Sequence, residues 1–232
     1  MVTEAIILAG GFGTRLQSVV KEIPKPMASI NGKPFLAYLL DYLVNQRVQN
    51  VVLSVGYKYE VIFEYFGDLY NGLKIEYAIE KEPLGTGGGI LNALSFCNSE
   101  NVLLLNGDSY FGVNIENLYQ FHIQNASDIS LSLKEMHNVD RYGTVSVNKH
   151  KIIAFNEKQF IEKGLINCGV YLLDKKSIEK LNLPIKFSFE KDLLETYVKK
   201  MNINGIVFDN YFIDIGIPED YERAQIELFQ KI

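Results

Sequence analysis

Tryptophan is absent from this 232-residue sequence, and cysteine and histidine are scarce, with two and three residues. Cys97 and Cys168 lie in apolar segments, which favours buried free thiols in a reducing compartment over a disulfide. The three histidines are scattered and show none of the spacings of a zinc site. We therefore expect a cytoplasmic protein that contains neither a disulfide nor a zinc ion.

The sequence also lacks long hydrophobic runs. No apolar stretch approaches the roughly 18 residues that a transmembrane helix needs, and the stretch 5–9 is too short for a signal peptide. The formal net charge of −5 argues against a general nucleic-acid binder. Because 47% of the residues are hydrophobic, the chain can bury a substantial core. We expect one domain that has no membrane and no nucleic acid as a partner.

Several motifs of covalent or zinc-dependent catalysis are missing as well. There is no Gly-x-Ser-x-Gly elbow, no His-paired Cys and no His-Glu-x-x-His. The sequence instead offers cations, carboxylates and glycine-rich turns. This set suits phosphoryl-type transfer, in which positioning and charge neutralisation provide most of the catalysis.

A glycine-rich turn near the amino terminus is the most informative feature present. The apolar run 5–8 predicts a buried strand, and the segment 10–16, with the sequence GGFGTRL, follows it. Glycine lets the main chain approach an anion and present N–H groups to it. Lys25, between Pro24 and Pro26, adds a cation on a stiffened segment. The turn is therefore predicted to hold the phosphates of a nucleotide.

Two better-known phosphate-binding loops do not fit this turn. The dinucleotide fingerprint needs Gly or Ala three residues after Gly13, where this sequence has Leu16. The Walker loop needs Gly-Lys-Ser/Thr, and the corresponding positions hold Arg15-Leu16 or Leu16-Gln17. The turn therefore represents another type of nucleotide site, which carries its own Arg15.

The first half of the chain alternates strands and helices. Apolar runs predict strands at 5–8, 50–55 and 102–108, and alternation of apolar and polar residues predicts one at 73–80. Helical periodicity predicts helices at 35–44, 58–70 and 86–96. This alternation is typical of a doubly wound α/β domain with a parallel sheet and right-handed crossovers.

The second half has a different texture. After a helix at 114–124, strands are predicted at 129–136, 143–147, 151–157 and 165–173. Their succession without intervening helices indicates mixed or antiparallel additions to the sheet. We therefore predict one domain over 1–232, in which a nucleotide-binding lobe (1–110) and a second lobe (111–232) share a cleft at the carboxyl edge of the sheet.

Two aspartates end predicted strands at this edge. Asp108 follows Asn106-Gly107, and Asp214 ends a short strand much later in the chain. Two carboxylates beside a triphosphate repel each other unless a cation lies between them, and Mg²⁺ is bound by one or two carboxylates together with phosphate oxygens. The alternative is that both aspartates only cap turns.

Other polar segments leave two interpretations open. Arg15 and Lys25 could be solvated charges, although their position at a glycine turn favours phosphate binding. Glu157-Lys158 either combines an acceptor for sugar hydroxyls with a cation or is an exposed turn. The segment 80–89 (EKEPLGTGGG) could contact the nucleotide or form an ordinary strand-to-helix turn.

The glycine turn and Pro24-Lys25-Pro26 together closely resemble the signature of sugar-1-phosphate nucleotidylyltransferases, which join an NTP and a sugar phosphate into a nucleotide sugar. Later motifs follow in the order of that family: 82–88 (EPLGTGG), 106–108 (NGD), 142–143 (YG), 157–158 (EK), 167–169 (NCG), 214–216 (DIG) and 218–220 (PED). The resemblance implies a Rossmann-like three-layer sandwich of the nucleotide-diphospho-sugar transferase type, with a mixed, mainly parallel sheet. It also implies Mg²⁺ as cofactor and a sugar-phosphate-binding role for the second lobe.

The resemblance further implies a role for each residue that matches a motif. The nucleotide would contact Leu8, Gly10, Gly11, Gly13, Thr14, Arg15, Lys25, Glu80, Gly85, Thr86 and Asp108. The sugar 1-phosphate would contact Gly143, Glu157, Lys158 and Asn167, with Lys158 at its phosphate. Asp108 and Asp214 would bind Mg²⁺, and Arg15, Lys25 and Asp108 would be catalytic.

The family position that reads the base, often glutamine in enzymes that use UTP or dTTP, is Glu80 in this sequence. A carboxylate only accepts hydrogen bonds, and guanine offers it two adjacent donors, N1–H and the N2 amine. Uracil and thymine offer one donor between two carbonyls that a carboxylate would repel. We therefore expect GTP to be the nucleotide.

Within the family, the whole chain most resembles the guanylyltransferases of D-glycero-α-D-manno-heptose 1-phosphate, which supply GDP-heptose for capsule or other surface polysaccharide. No residue spacing identifies the heptose, so mannose-1-phosphate guanylyltransferases and uridylyl- or thymidylyltransferases for other hexoses remain alternatives. A non-catalytic relative that binds nucleotide sugars is another alternative. Such proteins typically lose the loop arginine, the lysine or a metal-binding aspartate, whereas this sequence has Arg15, Lys25, Asp108 and Asp214. The aromatic-rich segments 57–70 and 221–229 could be core or the interface of a homodimer.

Overall fold

The computed structural model describes residues 1–11 and 23–231. The strands are β1 (Glu4–Leu8), β2 (Ser29–Ile30), β3 (Lys33–Pro34), β4 (Asn50–Val55), β5 (Leu69–Tyr70), β6 (Leu73–Ile79), β7 (Asn101–Asn106), β8 (Ser109–Phe111), β9 (Ile129–Val139), β10 (Thr144–Asn148), β11 (Lys151–Asn156), β12 (Ile161–Asp174), β13 (Ile203–Val207) and β14 (Phe212–Asp214). The α-helices are α1 (Phe35–Asn45), α2 (Tyr59–Phe66), α3 (Gly85–Leu94), α4 (Ile115–Gln124), α5 (Lys175–Glu179) and α6 (Pro218–Lys231). A 3₁₀ turn, Lys25–Met27, and a π-helical segment, Phe189–Glu195, complete the set.

Ten of these strands form one mixed sheet in the order β10-β11-β13-β9-β12-β7-β1-β4-β6-β5. The four strands β7, β1, β4 and β6 are parallel to one another. The sequence predicts β1, β4 and β7 from apolar runs, as is typical of parallel strands covered on both faces, and it predicts β6 from alternation, which matches the alternating burial of that strand. The predicted strand–helix alternation and the mixed character of the sheet are therefore confirmed. The expectation that the sheet is mainly parallel is wrong, because β12 runs antiparallel to β7 and β9, and β11 runs antiparallel to β10 and β13.

Successive residues of the central strands pack on opposite faces of the sheet. Ile7 of β1 belongs to a core with the apolar side of α1 and with parts of α2, α4 and α6. Ile6, one residue earlier, belongs to a second core with α3, α5 and the π-helical segment. Helices thus cover both faces, and the loops at the carboxyl ends of the strands stay open to ligands.

The second half departs from an open sheet. The long strand β12 runs antiparallel to both β7 and β9, and its register with β9 shifts between Asn167 and Tyr171. One further pair, Thr144 with Ile166, joins β10 to β12 and closes β9, β12, β10, β11 and β13 into a five-stranded ring. A bulge bends the strand that carries it, which explains how one strand belongs to both the flat sheet and the ring.

Smaller features complete the comparison with the sequence. Cys97 and Cys168 are buried and free, as predicted. The helix predicted at 58–70 ends at Phe66, because Gly67 adopts a φ of +62° and its N–H donates to the carbonyl of Phe63. Among the described residues, none of the helices is long and apolar enough to cross a membrane.

Candidate active site

Asp108 and Lys25 form the centre of the site. Asp108 stands in the tight turn between β7 and β8, and Lys25 opens the 3₁₀ turn that follows Pro24. The Lys25 Nζ donates to Asp108 Oδ2 at 2.6 Å, and the Lys25 side chain is only 10% exposed. The structure therefore brings together two of the three residues predicted to be catalytic, with the cation held in a nearly buried position.

Asp214 reaches the same place from the other end of the chain. The short strands β8 and β14 pair antiparallel, with Asp214 opposite Ser109, and the Ile215 N–H donates to the carbonyl of Asp108 at 2.9 Å. Burial raises the pKa of Asp214, and the charge of Asp108 raises it further, while Lys25 acts in the opposite direction. The two aspartates thus converge as predicted, in a setting that disfavours the charge of Asp214 unless a cation is near.

The donor set at this point fits a hard divalent cation. Within the described residues, no cluster of three or more His, Cys, Asp or Glu side chains forms a complete metal cage. Two carboxylates with open space beside them are what Mg²⁺ uses when phosphate oxygens and water supply the remaining ligands. The raised pKa of Asp214 has the same implication, since a bound cation would stabilise both carboxylates in their charged form.

A cavity of about 380 Å³ opens beside Lys25 and Asp108. It is lined by Leu8, Gly11, Lys25, Pro26, Thr86, Asn106, Gly107, Asp108, Glu190 and Gly216. Five of these residues, Leu8, Gly11, Lys25, Thr86 and Asp108, were predicted to bind the nucleotide. Three more predicted contacts, Gly13, Thr14 and Arg15, lie outside the described residues.

Two glycines near this cavity have packing roles. A Cβ on Gly107 would lie 2.2 Å from the carbonyl oxygen of Leu8, so only glycine lets the turn after β7 close against β1. Gly10 does not line the cavity. A Cβ on Gly10 would lie 3.3 Å from the Gly56 nitrogen and 3.4 Å from Glu80 Oε1. Gly10 therefore has a packing role and does not form part of the cavity wall.

The second glycine-rich turn is explained largely by packing against residues 185–187. Gly85 has a φ of +73°, and a Cβ there would lie 2.5 Å from the carbonyl oxygen of Phe187. A Cβ on Gly87 would overlap the ring of Phe187, and the Gly87 N–H donates to the Phe187 carbonyl at 2.9 Å. Thr86 lines the cavity, whereas Gly85 lies against the protein backbone.

Glu80 is partly buried and lies close to Gly10. Its Oε1 accepts a hydrogen bond from the Ser54 hydroxyl at 3.2 Å, and its Oε2 accepts one from the Leu84 N–H at 3.0 Å. It is not among the residues that line the cavity of 380 Å³. A carboxylate oxygen has more than one acceptor site, so these two bonds leave Glu80 capacity for a ligand.

A second cavity of about 550 Å³ lies against the five-stranded ring. Three of the four predicted sugar-phosphate contacts, Gly143, Lys158 and Asn167, line it, while the exposed Glu157 does not. Asn167 donates from Nδ2 to the hydroxyl of the fully buried Tyr171 at 2.8 Å. The two cavities meet, because Asn106, Asp108 and Glu190 line both.

Several residues of the second cavity have no counterpart among the predicted contacts. They are Asn106, Ser109, Tyr142, Thr144, Val145, Phe155, Asn156, Cys168, Gly169, Tyr171, Glu190, Lys191, Glu195 and Phe212. Asn106 could have been found in the sequence, since it opens the motif that contains Asp108. The charged residues 190, 191 and 195 could not, because their access to the cavity depends on the π-helical register.

The geometry of two joined cavities with a carboxylate pair and a buried lysine agrees with the sequence comparison. A profile of the family described as "Nucleotidyl transferase" matches residues 4–231. The chain belongs to the nucleotidyl transferase family. Members of this family generally use a divalent metal ion, in accordance with the donor set of this nucleotidyl transferase.

Two characterised relatives match the transferase over nearly its whole length. It is 50% identical to a D-glycero-alpha-D-manno-heptose 1-phosphate guanylyltransferase of Aneurinibacillus thermoaerophilus, with 97% of this chain and 98% of the relative covered. It is 52% identical to the enzyme of that name from Campylobacter jejuni, with 94% and 96% covered. The resemblance predicted from the motifs is therefore confirmed.

A solved structure agrees with these relatives. HddC from Yersinia pseudotuberculosis complexed with GMP-PN superposes on the transferase with a TM-score of 0.87 and 40% identity, over 98% of this chain and 100% of that one. A glucose-1-phosphate thymidylyltransferase from Bacillus anthracis, described as putative, shares the fold at 20% identity and a TM-score of 0.83. The Rossmann-like α/β fold of this transferase is thus the family's fold.

Proposed function

We propose that this transferase moves GMP from GTP to D-glycero-α-D-manno-heptose 1-phosphate, giving GDP-heptose and pyrophosphate. The meeting of two cavities at Asp108 carries this proposal, because it provides adjoining spaces for two substrates around one charged centre. Enzymes of that name are 50% and 52% identical to this chain, which supports both the reaction and the sugar.

The chemistry requires two anions to react. A phosphate oxygen of the sugar 1-phosphate attacks the α-phosphorus of GTP in line; a new P–O bond forms, the bond to the β-phosphate oxygen breaks, and pyrophosphate leaves. Lys25 lowers the repulsion at the reacting phosphorus, and its burial fixes the ammonium group before the substrates arrive. Lys158, in the second cavity, meets the phosphate of the sugar.

Mg²⁺ is the divalent ion that we assign to Asp108 and Asp214. When bound, it neutralises phosphate charge and orients the triphosphate. Lys25 pairs with Asp108 in the structure, so the lysine fixes the position of a carboxylate that would hold the metal ion. Removal of divalent metal with EDTA should abolish pyrophosphate release, and added Mg²⁺ should restore it; Asp214→Asn should lose the response to Mg²⁺.

GTP is the nucleotide that we assign, with Glu80 as the reader of the base. The GMP-PN in the 40% identical neighbour supports guanine, and the carboxylate of Glu80 can accept from both guanine donors. The Glu80→Gln variant keeps an oxygen for the Leu84 N–H and loses one acceptor. We expect its kcat/KM for GTP to fall at least about 10-fold relative to UTP; an unchanged GTP preference would contradict this role of Glu80.

We infer that the protein acts in the cytoplasm, where GTP is available. A homodimer remains a prediction, and the exposed apolar surface of α2 and β5, which includes Phe63, Tyr65 and Leu69, is the place to look for its interface. Light scattering of the purified protein would decide between monomer and dimer.

The direct test of the reaction uses the purified chain with GTP, Mg²⁺ and the heptose 1-phosphate. Pyrophosphate release should be accompanied by a product with the mass of GDP-heptose. Lys25→Ala, if it keeps the wild-type melting temperature, is the control for contaminating activity. Absence of GDP-heptose from the wild-type reaction would contradict the proposal.

A further inference from the structure

The π-helical segment Phe189–Glu195 forms one wall of the second cavity. Ser188 caps it, since the Ser188 hydroxyl accepts from the Lys191 N–H at 3.2 Å and the Ser188 N–H donates to the carboxylate of Asp192 at 2.7 Å. At the other end, the Thr196 hydroxyl donates to the carbonyl of Lys191 at 3.1 Å. These bonds fix the ends of the segment.

Apolar residues fix the inner face of the segment. Phe189, Leu193 and Leu194 are buried, and the ring of Phe189 packs edge-on against Tyr171 with 5.2 Å between the ring centroids. The Phe189 N–H also donates to the Thr86 hydroxyl at 2.9 Å. The segment therefore cannot rotate about its axis, and its polar residues have fixed directions.

The π register brings two carboxylates to the same cavity. Glu190 and Glu195 both line it, and they are five residues apart. Five residues in an α-helix correspond to about 140° of rotation, which would direct the two side chains to different sides. A π-helical turn closes between residues five apart and stacks them near one another. The unusual register is thus what gives the cavity its second carboxylate.

The charges of this wall separate into two chemical roles. Cations suit the phosphate of the sugar, and Lys158 and Lys191 both line the cavity. Carboxylates repel phosphate and accept hydrogen bonds from hydroxyl groups. Among the described residues, Glu195 has no hydrogen-bond or ion-pair partner, while Glu190 accepts from the Thr86 hydroxyl at 3.3 Å. Both carboxylates are therefore available to a polyhydroxylated ligand.

The position of the reacting centre orients that ligand. Asp108 lies where the two cavities join, so the phosphate of the sugar has to point towards this junction to reach the α-phosphorus. Glu190 lies at the junction as well, whereas Glu195 lines only the sugar cavity. Glu195 consequently faces a part of the sugar away from the nucleotide.

We propose that Glu195 determines the sugar specificity of this transferase by accepting a hydrogen bond from the hydroxyl group on the exocyclic carbon that a heptose has and a hexose lacks. This inference rests on the proposed function, because a heptose has one exocyclic carbon and one hydroxyl more than a hexose. Hydrogen bonds from hydroxyls to a charged acceptor are strong enough to discriminate between the two sugars.

The test compares Glu195→Ala and Glu195→Gln with a matched control, Glu222→Ala, which removes an exposed carboxylate of α6 that lines neither cavity. Glu195→Ala should lower kcat/KM for the heptose 1-phosphate about 10-fold or more. In this variant the kcat/KM for mannose 1-phosphate, or its inhibition constant if it acts only as a competitive inhibitor, should change less than about threefold. The KM for GTP should not change. Glu195→Gln should be intermediate, and the control should behave as wild type.

The same measurements contain the outcomes that overturn the inference. An equal loss for the heptose and mannose phosphates would mean that Glu195 contacts a group that both sugars have, and not the additional hydroxyl of the heptose. A raised KM for GTP with unchanged kcat/KM values for the sugar phosphates would mean that Glu195 contacts the nucleotide instead. Wild-type kinetics in Glu195→Ala would mean that Glu195 contacts neither substrate. Failure of the proposed function itself would be distinguished by a wild-type enzyme that does not turn over the heptose 1-phosphate.

Discussion

Lys25 and Asp108 differ in how deeply they are buried. The Lys25 side chain is 10% exposed and that of Asp108 is 40% exposed, so the lysine has lost most of its water and depends on nearby carboxylates. Asp214 lies close enough to act on the same ammonium group. One ammonium group thus faces two carboxylates in the resting protein, and this excess of negative charge favours a bound metal ion.

Neutral substitutions at the centre should remove catalysis and leave the fold intact. Lys25→Ala and Asp108→Asn are each expected to lower kcat at least about 100-fold at saturating Mg²⁺, since the first removes the cation beside the reacting phosphates and the second removes a carboxylate assigned to Mg²⁺. Lys74→Ala, which removes a surface ion pair with Glu76, is the control and should keep wild-type kcat. Wild-type rates in either site variant, with an unchanged melting temperature, would show that the assigned residue is not catalytic.

His122 is a buried group whose titration affects stability. Its Nδ1 lies 2.9 Å from the Ser130 hydroxyl, and burial lowers its pKa to about 4, although Asp174 and Asp128 act in the opposite direction. The unfolded chain binds a proton at this residue below a pKa of about 6.5, whereas the folded chain does so only near 4. The contribution of His122 to the free energy of unfolding therefore falls as the pH drops from about 6.5 to 4.

This pH dependence can be measured by thermal unfolding between pH 7 and pH 4.5. His122→Gln should show a smaller decrease in melting temperature over this range than the wild type. His137→Gln, at an exposed position of β9, should follow the wild-type curve. A His122 variant with the wild-type slope would mean that carboxylates alone produce the acid sensitivity.

At the scale of elements, the start of α3 is joined to residues 185–187, which lead into the π-helical segment. Gly85 is in the left-handed region and has the Phe187 backbone beside it, whereas Gly72 is left-handed with open space around it. Because of the positive φ, alanine at either position should lower the free energy of unfolding by roughly 1–2 kcal/mol. Gly85→Ala should cost about 1 kcal/mol more, because its Cβ would also displace Phe187.

Urea unfolding of the Gly85→Ala and Gly72→Ala variants separates the two costs. The extra loss in Gly85→Ala should come with weaker binding of both substrates, since the displaced segment carries Glu190. Equal destabilisation by the two substitutions would mean that the contact between α3 and Phe187 is not tight in solution.

The π-helical segment marks the limit of element prediction from the sequence. Serine is a common N-cap residue, and Ser188 caps this segment in the structure. The buried positions 189, 193 and 194 are compatible with both an α and a π register, so periodicity could not distinguish them. The cavity residues Glu190 and Glu195 were missed for this reason.

At the scale of the molecule, the cavity beside Lys25 and Asp108 was more predictable from the sequence than the second cavity, which lies against the five-stranded ring. Asp108 follows β7 at the carboxyl edge of the main sheet, as the local pattern predicts. Asp214 reaches it through the separate antiparallel pair of β8 and β14, which the pattern does not predict. The second cavity depends on the pairing of Thr144 with Ile166, which closes the five-stranded ring. Such a contact depends on the bend of β12 and on long-range packing, which no local pattern encodes.

The central claim is tested most directly by one kinetic matrix. The kcat/KM of the wild-type protein would be measured from pyrophosphate release for GTP, UTP and dTTP, each with the 1-phosphates of heptose, mannose and glucose. We predict that GTP with D-glycero-α-D-manno-heptose 1-phosphate exceeds every other pair at least about 10-fold. A preference for UTP or dTTP, or for a hexose 1-phosphate, would contradict the assigned reaction.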